Sequence, residues 1–180
     1  MKNLVTVLCM VVSLSAISQT TINPDTVCAN ALAEQYFVTN TPTSTYNWTA
    51  TGGGSVIQTG QGTNTITVDW GGVSALFSNA ISVTETSASG CPGAPILLDV
   101  FVLSLSGSAI GPYCPGDPLA TLTGAPIGGT WSGTGVTGNN FDPATAGVGN
   151  FVLTYSLSGC LTTINVTVNS GPVTGPIQHF

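Results

Sequence analysis

The 180-residue chain has a formal net charge of -6, with one Lys or Arg and seven Asp or Glu, and only 4% of its residues are charged. Ordinary globular proteins carry roughly 25% charged residues. Nucleic-acid binding needs Lys and Arg side chains that neutralise phosphates, so we expect no nucleic-acid partner. With 42% hydrophobic residues, the chain can still bury a core, and its surface polarity must come from Thr, Ser, Asn and Gly.

The N-terminus has the pattern of a secretory signal peptide. Lys2 gives a short positive start, the apolar run LVTVLCMVVSLSAI follows, and small residues stand before Gln19. This pattern predicts a signal peptide over residues 1–18, cleaved after Ser18. A membrane anchor is disfavoured because the run is short for a spanning helix. A lipid anchor on Cys9 is disfavoured because no small residue directly precedes it.

Strict alternation of apolar and polar residues marks the strands of the first half. The stretches are NTITVDW, NAISVTET and PILLDVFV, with Ile66, Val68, Trp70, Ile81, Val83, Ile96, Leu98, Val100 and Val102 pointing inward. This alternation predicts half-buried antiparallel strands. Gly- and Pro-rich turns separate them, and no helix is expected after the signal peptide. Short strands at this spacing indicate a β-sandwich.

The same pattern restarts in the second half, after the Gly- and Ser-rich stretch SLSGSAIGP. Two later stretches alternate again, with inward positions at Phe151, Leu153, Tyr155, Leu157, Ile164, Val166 and Val168. We therefore predict an all-β chain of two sandwich domains, over 19–103 and 113–169. A linker over 104–112 joins them, and a tail over 170–180 follows.

Four cysteines remain after removal of the signal peptide: Cys28, Cys91, Cys114 and Cys160. In an exported chain they indicate disulfides, with three connectivities open. No Cys-x2-Cys pair favours a metal site. Because each half has an early Cys and a late Gly-Cys after a strand, we predict one bridge per unit, Cys28–Cys91 and Cys114–Cys160.

Motifs of the first unit carry a family resemblance. They are Y-x-W-x-x-x-G-G from Tyr46, G-Q-G-T-N-x-I-T-V-x-W from Gly60, and I-S-V-T-E-T-x-x-x-G-C from Ile81. These motifs resemble PKD-like, immunoglobulin-like domains in surface proteins of gliding, type IX-secreting bacteria. The second unit resembles an immunoglobulin-like repeat of the same proteins. The resemblance implies tandem immunoglobulin-like sandwiches that serve as spacers, adhesive modules or filament parts.

The tryptophans and glycine runs allow a ligand hypothesis and a packing hypothesis. The strand register turns Trp48 and Trp70 inward, and packing is also favoured for Trp131. Carbohydrate stacking needs outward-pointing aromatics, and the loops around Trp131 are the best candidates for it. The runs TGGGSV and GGTWSGTGV are not phosphate loops, because neither a helix nor a Lys accompanies them.

Catalysis and metal binding find little support in the sequence. His179 is the only His, it lies near the end of the sequence, and the cysteines are assigned to bridges. Ser or Cys nucleophiles therefore lack a base, and we predict no enzyme and no cofactor. Calcium is not expected either, because no Asp-x-Asp motif occurs. The stretches NPDT, PGDP and GNNFDP are interpreted as turns.

Two features point to modification and to partners. The triplet DTV matches a short bacterial O-glycosylation pattern, which makes Thr26 a candidate site. The tail closes on Ile177, Gln178, His179 and Phe180, and such a peptide could dock by adding a strand to a partner's sheet.

These features together predict a non-catalytic exported protein of the periplasm, the outer-membrane surface or the extracellular space. It would act through contacts with envelope or surface proteins, including an outer-membrane component, as a part of adhesion, filaments, gliding motility or secretion. The alternative is a carbohydrate-binding module.

Overall fold

The computed structural model describes residues 24–172 and 175–179. The predicted signal peptide and Phe180 lie outside the described residues. The chain divides into two compact units, with the boundary between Leu103 and Ser104. Each unit has a hydrophobic core of its own.

Unit 1 is a sandwich of two sheets. Its strands are β1 (Asp25–Cys28), β2 (Glu34–Phe37), β3 (Thr45–Ala50), β4 (Val56–Thr59), β5 (Thr65–Asp69), β6 (Ala75–Thr86) and β7 (Ile96–Leu103). One sheet has the order β1-β7-β6-β3 and the other the order β2-β5-β4. Side chains from both sheets form one core. The predicted all-β, immunoglobulin-like architecture is confirmed for this unit.

The inward positions read from alternation are correct for most of unit 1. Ile66, Val68 and Trp70 are buried, as are Ile81 and Val83. On β7 the alternation holds, but burial fades toward the start of the strand: Val100 and Val102 are fully buried, Leu98 is half-buried and Ile96 is exposed. The sandwich is therefore open at the N-terminal end of β7.

Strand β1 departs from the prediction. It pairs with β7 in parallel, with Asp25 opposite Val100 and Cys28 opposite Leu103, so not all pairings are antiparallel. Asp25 and Thr26, predicted to lie in a turn, belong to this strand. Only one of its four side chains, Val27, is buried. Such a short edge strand gives almost no periodic signal.

Unit 2 encloses its core between two three-stranded sheets. Its elements are β8 (Ser106–Gly107), β9 (Ala120–Thr121), β10 (Gly124–Ala125), β11 (Thr130–Ser132), β12 (Val136–Thr137), β13 (Asn140–Phe141), α1 (Pro143–Ala146), β14 (Gly149–Leu157) and β15 (Cys160–Val168). The sheet orders are β11-β14-β15 and β12-β13-β9, and β10 pairs with β8 in a small ribbon. The long hairpin β14–β15 supplies much of the core.

The predicted linker over 104–112 belongs to unit 2 instead. Strand β8 lies inside it, and Leu105 and Ile110 pack against the core of unit 2. A Cβ at Gly107 would stand 2.7 Å from the Trp131 ring, so only a glycine lets this backbone lie against the core. The Gly and Ser content of this stretch reflects close packing rather than a flexible connection.

The prediction that no helix follows the signal peptide is wrong, because the structure contains a single helical turn, α1. Helix α1 begins after Asp142, whose Oδ1 accepts a hydrogen bond from the Ala144 N–H at 3.0 Å. Pro143 occupies the first turn, where its missing N–H costs nothing. Gly147 follows the last helical residue with φ of 79°. The stretch interpreted as a turn is thus partly strand β13 and partly a helix cap.

The predicted disulfide pairing is also wrong. Cys28 lies beside the last residue of β7, whereas Cys91 lies before its first residue, next to the bridge between Thr86 and Pro92. The length of β7 separates them by roughly 23 Å, and a disulfide requires Cα atoms within about 7 Å. Cys28, Cys91 and Cys160 are disulfide-bonded. Cys114 is an exposed free thiol, which contradicts the Cys114–Cys160 bridge.

Tyr155 fastens a turn of unit 2 onto the core. Its ring lies 5.1 Å from the Trp131 ring between centroids. Its hydroxyl donates to the Pro126 carbonyl at 2.6 Å and accepts from the Gly129 N–H at 2.8 Å. The backbone of Gly124 lies directly against this ring. The ring is therefore packed on its faces and hydrogen-bonded at its hydroxyl, so that any displacement of the ring would break these contacts.

We expect Gly124→Ala to lower the free energy of unfolding of unit 2 by about 1–3 kcal/mol, since overpacking a fixed ring has this cost. The new Cβ would stand 2.5 Å from Tyr155 Cζ. The matched control is Gly116→Ala, because nothing lies within 4 Å of a Cβ at that position. Urea unfolding followed by the near-ultraviolet circular dichroism of the aromatic side chains measures both variants. Equal stability of the two would contradict the packing account.

Candidate functional site

An apolar cleft opens between the two sheets of unit 1. It encloses about 120 Å³ and lies between the end of β2 and the N-terminal half of β7. An engineered apolar cavity of roughly 150 Å³ accommodates one benzene ring, so this cleft fits one apolar side chain. Its floor includes Trp48 and Val83, which are buried, and its rim includes Phe37, Ile96 and Leu97.

Unpaired strand edges border this cleft. Strand β1 covers only Val100–Leu103 of β7, so among the described residues Ile96–Asp99 has a strand partner on one side alone, β6. Strand β2 pairs with β5 and has no second partner in the part of the chain that the structure describes. The cleft therefore offers backbone N–H and C=O groups beside an apolar hollow, which is what an added strand requires.

The floor of the cleft is held by the loop over 60–64, to which the sequence analysis assigned no structural role. The Trp48 Nε1–H donates to the Thr63 carbonyl at 2.8 Å. The side chain of Gln61 accepts from the Trp48 N–H at 2.9 Å and donates to the Trp48 carbonyl at 2.8 Å. Gln61 thus satisfies the backbone of Trp48 much as a neighbouring strand would. The motif G-Q-G-T-N that carries the resemblance fixes the position of the indole ring.

Large apolar side chains form the exposed rim. Phe37 is 72% exposed, Ile96 is 50% exposed and Leu97 is 47% exposed. Single exposed apolar residues are ordinary on protein surfaces, but these three line one hollow with a buried apolar floor. Together they give the cleft an exposed apolar rim.

A tyrosine joins the cleft to the start of β1. The Tyr36 hydroxyl donates to Asp25 Oδ2 at 3.2 Å, and its ring meets the Trp70 ring edge-on with centroids 6.5 Å apart. Burial raises the pKa of the Tyr36 phenol well above its ordinary value, and the negative charge of Asp25 raises it further. The phenol therefore keeps its proton in the folded unit at a pH where an exposed tyrosine has begun to lose it.

We expect the stability of unit 1 to fall above about pH 10, where an unfolded tyrosine ionises. A pKa that is higher in the folded state means that the unfolded state releases its proton first, so rising pH favours unfolding. Tyr36→Phe removes this contribution. Urea unfolding between pH 8 and pH 11 should show a smaller loss for Tyr36→Phe than for the unchanged chain. Parallel curves for the two proteins would show that Tyr36 does not carry the effect.

The three tryptophans are buried, as predicted. Trp131 is only 7% exposed and stacks against Tyr155, so it offers no outward face to a sugar ring. The glycine run from Gly52 to Gly54 has positive φ throughout; Gly52 and Gly53 pack on Phe77, and Gly54 lies against the backbone of Gly71. It forms a turn between β3 and β4, and a strand rather than a helix follows it. These stretches serve packing, and the cleft rim is the candidate site that alternation alone did not reveal.

The polar candidates do not converge on one centre. Among the described residues, no group of three or more His, Cys, Asp or Glu side chains is placed to hold a metal ion. Asp117 accepts from the Cys114 N–H in a turn, as predicted for PGDP, and Asp142 caps α1. In the same part of the chain no helix has the length and apolar character that a membrane span needs.

Thr26 and the tail are both accessible. Thr26 is exposed on the edge strand β1. In the tail, Ile177 is fully exposed and His179 is exposed, and residues 175–179 belong to no strand. Phe180, the remaining predicted docking residue, lies outside the described residues.

Comparisons with known proteins support the domain type. Residues 13–98 match the family model of a PKD-like domain, in agreement with the resemblance of unit 1. Domains of this kind commonly mediate protein–protein or surface interactions, and the fold is typically non-catalytic. A search of curated proteins found no match.

Solved structures of tandem β-sandwich modules are similar at low identity. The fibronectin(III)-like modules of CbhA from Clostridium thermocellum share 11% identity over 90% of this chain and 98% of that one, with a TM-score of 0.34. The N-terminal four Ig domains of Dscam1 isoform 1.9 share 14% identity over 82% of this chain and 43% of that one, with a TM-score of 0.32. Extracellular domains 3–5 of Drosophila OTK share 12% identity over 81% of this chain and 58% of that one, with a TM-score of 0.33. The chain spans less than two thirds of the Dscam1 and OTK structures.

Proposed function

We propose that this protein is an exported, non-catalytic component of the bacterial envelope or surface that acts through protein–protein contacts. Adhesion, filament formation and the gliding or secretion machinery are the settings that its resemblance favours. The disulfide-bonded cysteines and the PKD-like domain fit an exported protein. The buried tryptophans give no support to the alternative of a carbohydrate-binding module.

The observation that carries the proposal is the cleft of unit 1, with its apolar rim and with strand edges that have no second partner among the described residues. A partner would bind there through backbone hydrogen bonds and one inserted apolar side chain. The cleft is lined by no charged side chain, so ion pairs contribute little to binding there. Affinity should therefore change little with ionic strength, because salt weakens contacts between exposed charges.

We expect deletion of residues 171–180 to abolish co-purification of the tagged chain with envelope proteins of its source cell. The described part of this tail is exposed and belongs to no strand, so its removal should leave the melting temperature unchanged. Quantitative mass spectrometry of cross-linked pull-downs, at low and at high salt, measures the bound proteins.

The matched control for the deletion is a tail of equal length in which the apolar residue Ile177 is replaced by Ser. Loss of partners with both variants places the contact on the apolar tail. Unchanged co-purification with both would end the tail's part in the proposal. Strong release by salt alone would contradict the uncharged character of the contact.

O-glycosylation of Thr26 is part of the same proposal. Its side chain is exposed on an edge strand, where an enzyme could reach it. We expect the intact mass of the protein from its source cell to exceed the sequence mass by a glycan, and Thr26→Val to remove that excess. Val has nearly the same shape, so stability should not change. A mass that matches the unmodified chain would contradict the modification.

A further inference from the structure

We infer that the chain's own residues 19–23, which directly precede Pro24 and β1, cover the cleft of unit 1 with Ile22 in the hollow, and that a partner strand must displace them. These residues lie outside the described residues. The inference rests on the proposed function and names the regulation of its site. In a chain without a partner, the apolar rim is then shielded from water and from other chains.

The chain enters unit 1 at the mouth of the cleft. Pairing of β1 with β7 begins at Asp25, opposite Val100, although β7 itself begins at Ile96. Pro24 is exposed and belongs to no strand. The carboxylate of Asp25 accepts a hydrogen bond at 3.2 Å from the hydroxyl of Tyr36, which lines the cleft. The segment before Pro24 therefore starts beside the cleft.

Ile22 lies within reach of the hollow. An extended chain rises about 3.3 Å per residue, so Ile22 can lie about 10 Å from Asp25. The lining residue Leu98 lies two residues before Val100 on β7, which is about 7 Å along the strand. A segment attached this close has a high effective concentration at the cleft, whereas a partner must arrive from solution.

The family match includes this segment. The model of the PKD-like domain matches residues 13–98, so the match begins before β1 and contains residues 19–23. This extent indicates that the segment belongs to the domain rather than to a linker in front of it. The place at which the segment arrives is the cleft, which no described strand covers.

The chemistry of the segment and of the hollow agrees. Ile22 is the only apolar residue in the segment QTTIN, and none of its residues is charged. The hollow encloses about 120 Å³, the size of one apolar side chain, and it is lined without a charged group. The remaining hydroxyl and amide side chains of the segment can stay in water at the rim. Its backbone can bond to strand edges that have no second partner among the described residues.

The cover should be weak enough for a partner to displace it. Ordering five residues costs conformational entropy, which one buried side chain and a few hydrogen bonds offset only narrowly. Covered and open chains therefore coexist. The apparent affinity for a partner falls in proportion to the open fraction, so a chain that is open about one fifth of the time binds about fivefold more weakly.

Contacts of Ile22 with the floor test the cover. In the full exported chain, labelled on its Ile methyl groups, nuclear Overhauser effects should join Ile22 to the Trp48 ring. Ile22→Ser should shift the amide signals of Leu97 and Phe37 at the rim. Val73→Ser is the matched control, because Val73 is 62% exposed and does not line the cleft. It should leave those signals in place.

A peptide should replace the missing side chain from solution. The synthetic peptide QTTINP, which corresponds to residues 19–24, is titrated into the Ile22→Ser chain. At millimolar concentration, the range of effective concentration of a short tether, it should return the rim signals toward their positions in the unchanged chain. The peptide QTTSNP should not.

The pull-down of the proposed function tests the regulation. Ile22→Ser should raise the amount of envelope protein captured by the tagged chain about fivefold, because the cover no longer competes. Val73→Ser should leave the captured amount unchanged.

Several results would overturn the inference. They are the absence of an Overhauser effect between Ile22 and Trp48, equal shifts of the rim signals with Val73→Ser, equal action of the two peptides, and capture that Ile22→Ser leaves unchanged. If Ile22 contacts Trp48 while neither the unchanged chain nor Ile22→Ser captures any protein, the proposed function fails and the cover of the cleft stands.

Discussion

Among the described residues, β1 pairs with only the second half of β7, and the cleft of unit 1 lies beside the first half. This strand runs through the middle of its sheet at one end, where parallel β1 lies alongside Val100–Leu103. At its other end it borders the cleft, and no described strand pairs with Ile96–Asp99 on the side away from β6. The same strand is therefore fully buried core at Val100 and exposed rim at Ile96. A stable sandwich and an accessible apolar hollow coexist because they use opposite ends of one strand.

The rigidity of the hollow comes from its floor rather than its rim. The Trp48 ring is anchored by a hydrogen bond from its Nε1–H to the Thr63 carbonyl, and Gln61 binds the Trp48 backbone on both of its polar groups. A pocket whose floor is fixed in this way does not need to reorganise before it binds. Preorganisation lowers the entropic cost of binding, which matters most where the contact area is small.

The sequence alone predicts which face of each long strand is buried. It does not predict that the short elements β1 and α1 form. Alternation placed Trp48, Val83 and Val166 inside, because each lies in a strand long enough to show a period of two. Strand β1 has four residues and one buried side chain, and α1 has a single turn, so neither shows a period. For α1 the available signal was local: an Asp–Pro pair and a Gly four residues after the Pro.

The disulfides and the cleft were beyond reach for a different reason. Pairing by analogy between the two halves assumed that similar positions in sequence are close in space. The full length of β7 separates Cys28 from the loop of Cys91. The short Cys-containing motifs that were compared contain no information about this distance. Likewise Phe37 and Leu97 are distant in sequence, and only the stacking of two sheets brings them to one rim. The candidate site is a property of the topology rather than of any one segment.

The scarcity of charge explains why an uncovered edge is significant here. Soluble β proteins commonly protect their edge strands with Lys, with inward-pointing charges or with Pro. This chain has a single cationic residue of the Lys or Arg type, Lys2, and it cannot protect β2 or the start of β7 by that means. Parallel β1 protects one half of β7 by direct pairing, and the other half has no such protection among the described strands. Phe37, Ile96 and Leu97 are exposed beside this edge, and this is the surface on which the proposed protein contact rests.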